Sequence, residues 1–150
     1  MEHLQCIVAV FDDWAALQSV LADLTPDRVG PTSAILFARD GEPLIDPVPA
    51  LLQELAELNF AASAISVRCT AGRLATDLQA RSDGGAESIA VAVRGWLGDG
   101  LARELQRHIN HGRLVLWLEP TTQDDCDAAC AQLARASPHL VGVSEISRQP

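Results

Sequence analysis

The chain has 150 residues, about one domain, and its 48% hydrophobic and 21% charged residues are typical of a globular protein. Its formal net charge of −9 disfavours nucleic acids and anionic membrane surfaces as partners. No segment approaches the roughly 20 apolar residues of a membrane-spanning helix, and Glu2 and His3 stand where a signal peptide would be basic. We therefore expect a small, soluble, cytoplasmic protein whose four cysteines are thiols: Cys6, Cys69, Cys126 and Cys130.

The first quarter of the chain predicts a strand, a helix and a second strand. Residues 4–11 are apolar on both alternating faces, which is typical of a strand inside a covered sheet. Asp12 or Asp13 is predicted to cap the helix, because a short carboxylate accepts from the free amides at a helix start. Pro26 ends this helix, and residues 33–38 form the second strand.

The middle of the chain is harder to interpret. Asp46-Pro47 is a favourable helix start, and the apolar stripe of that helix would be Leu51, Leu52, Leu55 and Leu58. Residues 65–69 alternate between apolar and polar side chains, which predicts a strand with one wetter face. Residues 73–81 fit a helix or a strand, and residues 89–93 alternate as another strand would.

The last third again predicts regular elements. Asp99 opens a helix, and Gly112 ends it, as glycine often does at a left-handed cap. Residues 114–118 are apolar on both faces and are predicted to be a second interior strand. A helix over 123–136 and a final strand over 141–146 complete the chain.

Two parts of the chain resemble each other. Residues 12–30 and 124–142 align at a constant offset of 112 with eight identical pairs, where random pairing gives about one or two. Two β-α-β halves predict an α/β (α+β) sandwich of the ferredoxin-like kind, with helices on one face of an antiparallel sheet. The halves would span roughly 1–40 and 97–150 of a single domain, with an insertion at 41–96 that adds a helix and one or more strands.

Two stretches resemble a group of uncharacterised bacterial proteins related to general stress proteins. One is residues 7–12, Ile-Val-Ala-Val-Phe-Asp, and the other is residues 97–118, where a helix leads through His111-Gly112 into Leu-Val-Leu-Trp. The resemblance implies a small α/β unit, with no established activity or catalytic residues. Many members carry a Gly-rich membrane segment between the halves. This chain departs there, because its middle holds charges that a bilayer disfavours: Arg68, Arg73, Asp77, Arg81, Asp83 and Glu87.

Cysteine and histidine residues are the first candidates for a site. Cys126 and Cys130 are four apart on a predicted helix and so share a face, where they could hold a soft metal or form a redox pair. Their spacing is not the usual CxxC, and cysteine often packs as a small apolar residue, so we predict no metal. His108 and His111 end a helix, where a cation suits the helix dipole. We expect both to be structural.

Acidic pairs are the next candidates. Asp12-Asp13 and Asp124-Asp125 stand at predicted helix starts, and neighbouring carboxylates can serve acid–base chemistry. Capping explains one member of each pair, which favours a structural role. The loop at 82–85, Ser-Asp-Gly-Gly, could hold an anion through its backbone amides, but a lone glycine pair is a weak signal.

No nucleophile, base and orienting group converge in the sequence, which favours binding over catalysis. We predict a non-enzymatic interaction or regulatory module that needs no cofactor and self-associates as a homodimer. The predicted contacts are Trp96, which lies among glycines, and the strand positions Ile65 and Val67. The alternative is a small enzyme or ligand-binding protein with a cleft between sheet and helices.

Overall fold

The computed structural model describes residues 2–22, 32–39, 56–58, 65–69, 78, 80, 93, 98–120, 122–135 and 140–148. Six strands are β1 (Glu2–Phe11), β2 (Thr32–Arg39), β3 (Ala56–Leu58), β4 (Ile65–Cys69), β5 (Leu114–Pro120) and β6 (Leu140–Arg148). Among these residues, the helices with defined bounds are α1 (Trp14–Leu21), α2 (Asp99–Asn110) and α3 (Gln123–Arg135).

The strands form one sheet in the order β3-β4-β2-β5-β1-β6, and every neighbouring pair is antiparallel. The protein is therefore a mixed α/β structure built on an antiparallel sheet. β1 and β5 each have a strand on both sides, which confirms the prediction that residues 4–11 and 114–118 are interior strands. Among the described residues, no helix is long and apolar enough to cross a membrane.

One face of the sheet is covered by α1 and α3. Alternate residues of β1, β2 and β5 point to this face, and helical spacing brings the apolar stripes of both helices onto it. The cluster comprises Ile7, Ala9, Phe11, Leu17, Val20, Leu21, Ala34, Leu36, Ala38, Leu114, Leu116, Leu118, Cys126, Ala129 and Leu133.

The opposite face of the sheet is covered by α2. This helix packs against β2 and β5, and its buried apolar residues, Ala102, Leu105 and Ile109, do not belong to the cluster on the first face. Here the Phe37 and Trp117 rings meet edge to face, with centroids 6.0 Å apart and an interplanar angle of 76°. The expectation that helices cover a single face is therefore wrong, because these strands are apolar on both sides and each side needs a cover.

Two predictions for the middle of the chain are wrong where the structure describes it. Leu58, which was expected in a helix, ends β3 and lies opposite Val67 of β4. Val93, which was expected in a strand, has a helical backbone, as do Leu78 and Ala80 of the ambiguous segment. Short apolar runs fit both periods, so tertiary pairing decides between them. The other residues of these predicted elements lie outside the described residues.

The helix caps revise the internal alignment. Asp13 caps α1, and its Oδ1 accepts a 2.9 Å hydrogen bond from the Ala16 amide. The Thr122 hydroxyl does the same for α3 at 3.1 Å from the Asp125 amide, so the expectation that Asp124 or Asp125 is the cap is wrong. These caps are 109 residues apart (122 − 13), not 112. The identical pairs are therefore displaced by about one helical turn from structural equivalence.

The predicted cap at Gly112 is confirmed. Gly112 has φ 85°, a left-handed conformation that glycine adopts without a Cβ penalty. Its amide donates to the Ile109 carbonyl at 2.9 Å, and the Arg113 amide donates to the His108 carbonyl at 3.0 Å. This pair of bonds is the Schellman motif, and it joins the last turn of α2 directly to the first residue of β5.

Candidate functional site

Charged side chains gather where β1 and β2 end and β5 begins. Phe11 lies opposite Leu114, and Phe37 lies opposite Val115. Continuing these antiparallel registers places Asp12 and Arg39 on either side of Arg113. We call Arg39, Arg113 and Asp12 the sheet-end row.

Arg113 is the centre of the sheet-end row. Its Nε lies 3.6 Å from Oδ1 of Asp12, and its side chain is 31% exposed, against 69% for Asp12. An ion pair this open to water contributes little to stability. The other end of the Arg113 guanidinium is held more firmly, because its Nη1 lies 3.2 Å from Nδ1 of His108.

His108 anchors Arg113 from the helix side. The His108 residue is only 9% exposed, and its Nδ1 must be unprotonated to accept from a guanidinium, which can only donate. The neutral ring then carries its proton on Nε2, which lies 4.0 Å from Oε1 of Glu104. His108 therefore has a buried, orienting role at the end of α2, in keeping with the structural role expected for it.

Arg39 completes the sheet-end row from the side of β2. An ideal Cβ placed on Gly112 would lie 3.7 Å from Nη1 of Arg39, so this exposed guanidinium passes over the helix cap next to Arg113. Among the described residues, no carboxylate forms an ion pair with Arg39. Neither arginine stands out in the sequence, because only the strand register brings residues 39 and 113 together.

His111 lies next to the sheet-end row in the sequence, but its side chain bonds to its own helix. Its Nδ1 is 2.8 Å from the Arg107 carbonyl, to which it donates from the ring. The same carbonyl also accepts from the His111 amide at 3.1 Å, so the ring adds a second hydrogen bond at the last turn of α2. This supports the structural role expected for His111.

The cysteine pair lies on α3, away from the sheet-end row. Cys126 is buried in the first-face core and Cys130 is half-buried against it. Cys6, Cys126 and Cys130 are free thiols. Burial raises the pKa of the Cys126 thiol above its ordinary value, and the neighbouring Asp127 and Cys130 raise it further. Within the described residues, no three histidine, cysteine or acidic side chains come together as metal ligands would.

The deeper burial of Cys126 compared with Cys130 predicts the order in which the two thiols react. Iodoacetamide attacks the thiolate, so the raised pKa and the burial of Cys126 should leave Cys130 the faster of the pair by at least about tenfold at neutral pH. Peptide mass spectrometry over a time course measures both rates. In urea the two rates should converge. Equal rates in the native protein would contradict the packing of α3 described above.

The acidic pairs are divided between different tasks. Asp13 caps α1, and its neighbour Asp12 faces Arg113. Asp124 and Asp125 lie in the first turn of α3, where negative charge complements the helix dipole. In neither pair do these contacts bring the two carboxylates together, as acid–base catalysis by the pair would need. The geometry therefore favours a structural role for both pairs.

The residues predicted for self-association are placed only in part. Ile65 and Val67 lie in β4, one strand in from the β3 edge, and Trp96 lies outside the described residues. The resemblance to stress-protein-related chains stays a prediction. Comparison of this chain with protein-family models, with curated proteins and with solved structures finds no match.

Proposed function

We propose that the chain is a self-associating, non-enzymatic binding module with a ferredoxin-like core. The order β6-β1-β5-β2 supports this core, because it interleaves two β-α-β units: β5 lies between β1 and β2, and β1 lies between β5 and β6. In one unit α1 connects β1 and β2, and in the other α3 connects β5 and β6. In this proposal β3 and β4 extend the sheet beyond β2.

The observation that carries the proposal is the edge strand β6. Its nine residues pair with β1 along one side from Leu140 to Arg148, and no described strand pairs with its other side. A long open edge is a template for another strand. The opposite edge, β3, has only three residues and offers a much shorter template.

A second copy of the chain is the partner that such an edge suits best. Two β6 strands could pair antiparallel about a two-fold axis, which closes the assembly at a dimer. The formal net charge of −9 opposes indiscriminate stacking of sheets. We therefore propose a dimer whose sheets continue across β6, and we place the contact there rather than at Ile65 and Val67.

Two proline substitutions in β6 test this contact. Backbone N–H groups alternate along a strand, so either Ser144 or Glu145 directs its amide to β1 and the other directs it outward. Ser144→Pro and Glu145→Pro each remove one donor. One variant should lose folding, and the other should stay folded and become a monomer.

Light scattering coupled to size exclusion gives the mass, and circular dichroism reports folding. A third variant, Ser144→Ala, keeps the amide and should remain a dimer at the same micromolar concentration. A folded proline variant that stays a dimer would reject β6 as the contact. A monomeric wild-type chain would reject self-association itself.

A further inference from the structure

We propose that the sheet-end row binds a dianionic phosphate group between the guanidinium groups of Arg39 and Arg113. The row lies at the strand ends of β1, β2 and β5, so this site is separate from the β6 edge and does not depend on self-association. The ligand class is a phosphate group, free or carried as a monoester on a small molecule.

The charge balance of the row points to an anion. Arg39 and Arg113 occupy neighbouring strand positions, where like charges repel. Among the described residues, Asp12 is the one carboxylate that forms an ion pair with either arginine, and its Oδ1 lies 3.6 Å from Nε of Arg113. A dianion between the two guanidinium groups would neutralise both, and each planar fork matches phosphate oxygens.

The site is also largely formed in advance. Arg113 is held at its backbone by the helix cap and at Nη1 by His108, which limits the entropy lost on binding. Arg39 reaches the neighbouring Gly112, where an ideal Cβ would lie 3.7 Å from its Nη1 and 3.8 Å from its Cδ. The Asp12 side chain is 69% exposed, so its ion pair with Arg113 is open to competition from an anion in solution.

The Asp12 carboxylate therefore competes with phosphate for Arg113, and this predicts what its removal does to phosphate affinity. Asp12→Asn removes the carboxylate that phosphate must displace, so this variant should bind phosphate about tenfold more tightly than the wild type. Arg39→Gln and Arg113→Gln should each bind at least about tenfold more weakly. A purely structural ion pair between Asp12 and Arg113 would not produce tightening.

The experiment titrates the full chain with inorganic phosphate at about pH 8, where phosphate is mostly dianionic. Ionic strength is held constant with chloride, and acetate serves as the monovalent comparison. Arginine Nε–H signals in ¹H–¹⁵N spectra report binding. We expect saturable shifts with phosphate and much smaller ones with acetate.

Arg103→Gln is the matched control, because Arg103 is an exposed arginine of α2 that belongs to no ion pair or hydrogen bond of the row. It should leave the phosphate affinity unchanged. Arg39→Gln carries the main test, since Arg39 is exposed and its loss should leave folding intact. Shifts that do not saturate, equal weakening by Arg103→Gln, or an Asp12→Asn variant no tighter than wild type would each overturn the proposal. A phosphate-binding chain that is monomeric would leave this inference standing while rejecting the dimer.

Discussion

Replacing Trp117 with alanine should cost about 3–5 kcal/mol of the free energy of unfolding, the range for removing a large aromatic side chain from a core. Small domains are stable by only about 5–15 kcal/mol, so the variant should be largely unfolded at modest urea concentrations. Trp117 is 1% exposed on the α2 face of β5, and it is the largest fully buried side chain among the described residues. Its loss also removes the edge-to-face contact with Phe37.

Urea denaturation followed by circular dichroism measures this loss without relying on tryptophan fluorescence. Trp14→Ala is the matched control, because Trp14 only partly packs against the first-face core at the start of α1. We expect it to cost clearly less than Trp117→Ala. Equal losses from the two variants would mean that the second face of the sheet is not a packed core.

Leu105→Ala should cost about 2–5 kcal/mol, the range for truncating a buried leucine. Leu105 is fully buried where α2 covers β2 and β5. The variant leaves a cavity under the helix, and the cost depends on how far the surroundings can close it. The prediction therefore tests whether α2 is an integral layer of the fold.

Leu101→Ala provides the comparison within the same helix, because Leu101 is one turn earlier and only half-buried. The same atoms are removed in both variants, so the difference in unfolding free energy isolates the effect of burial. We expect Leu101→Ala to cost less than half as much. A Leu105→Ala variant as stable as the wild type would show that α2 is only loosely attached to the sheet.

The parts of the fold that could be predicted from sequence are those with local causes. The two interior strands were predicted because their residues are apolar on both faces, and Asp13 and Gly112 act as caps as their chemistry suggests. Both caps depend on a few neighbouring residues and on the backbone angles that those residues allow. These local signals do not depend on the tertiary structure that the rest of the chain adopts.

The parts that could not be predicted depend on distant residues. Leu58 fits a helical stripe, yet it pairs with Val67 once β4 is in place. Thr122 caps α3, but the sequence favoured Asp124 or Asp125, because carboxylates are also common at helix starts. The sheet-end row shows the same limit, because residues 39 and 113 become neighbours only through pairing of β2 with β5.

The pairing of β1 with β6 has a consequence for the order of folding. Glu2 lies opposite Arg148, so the first described strand meets the last one across nearly the whole chain. During synthesis β5 can pair with β1 once residues 114–120 have left the ribosome. The other side of β1 stays open until residues 140–148 have also been released. A nascent chain must keep the open side of residues 6–11, which are all apolar, from pairing wrongly throughout that interval. Among the described strand pairs, the last one to form thus joins the residues that lie farthest apart in the sequence.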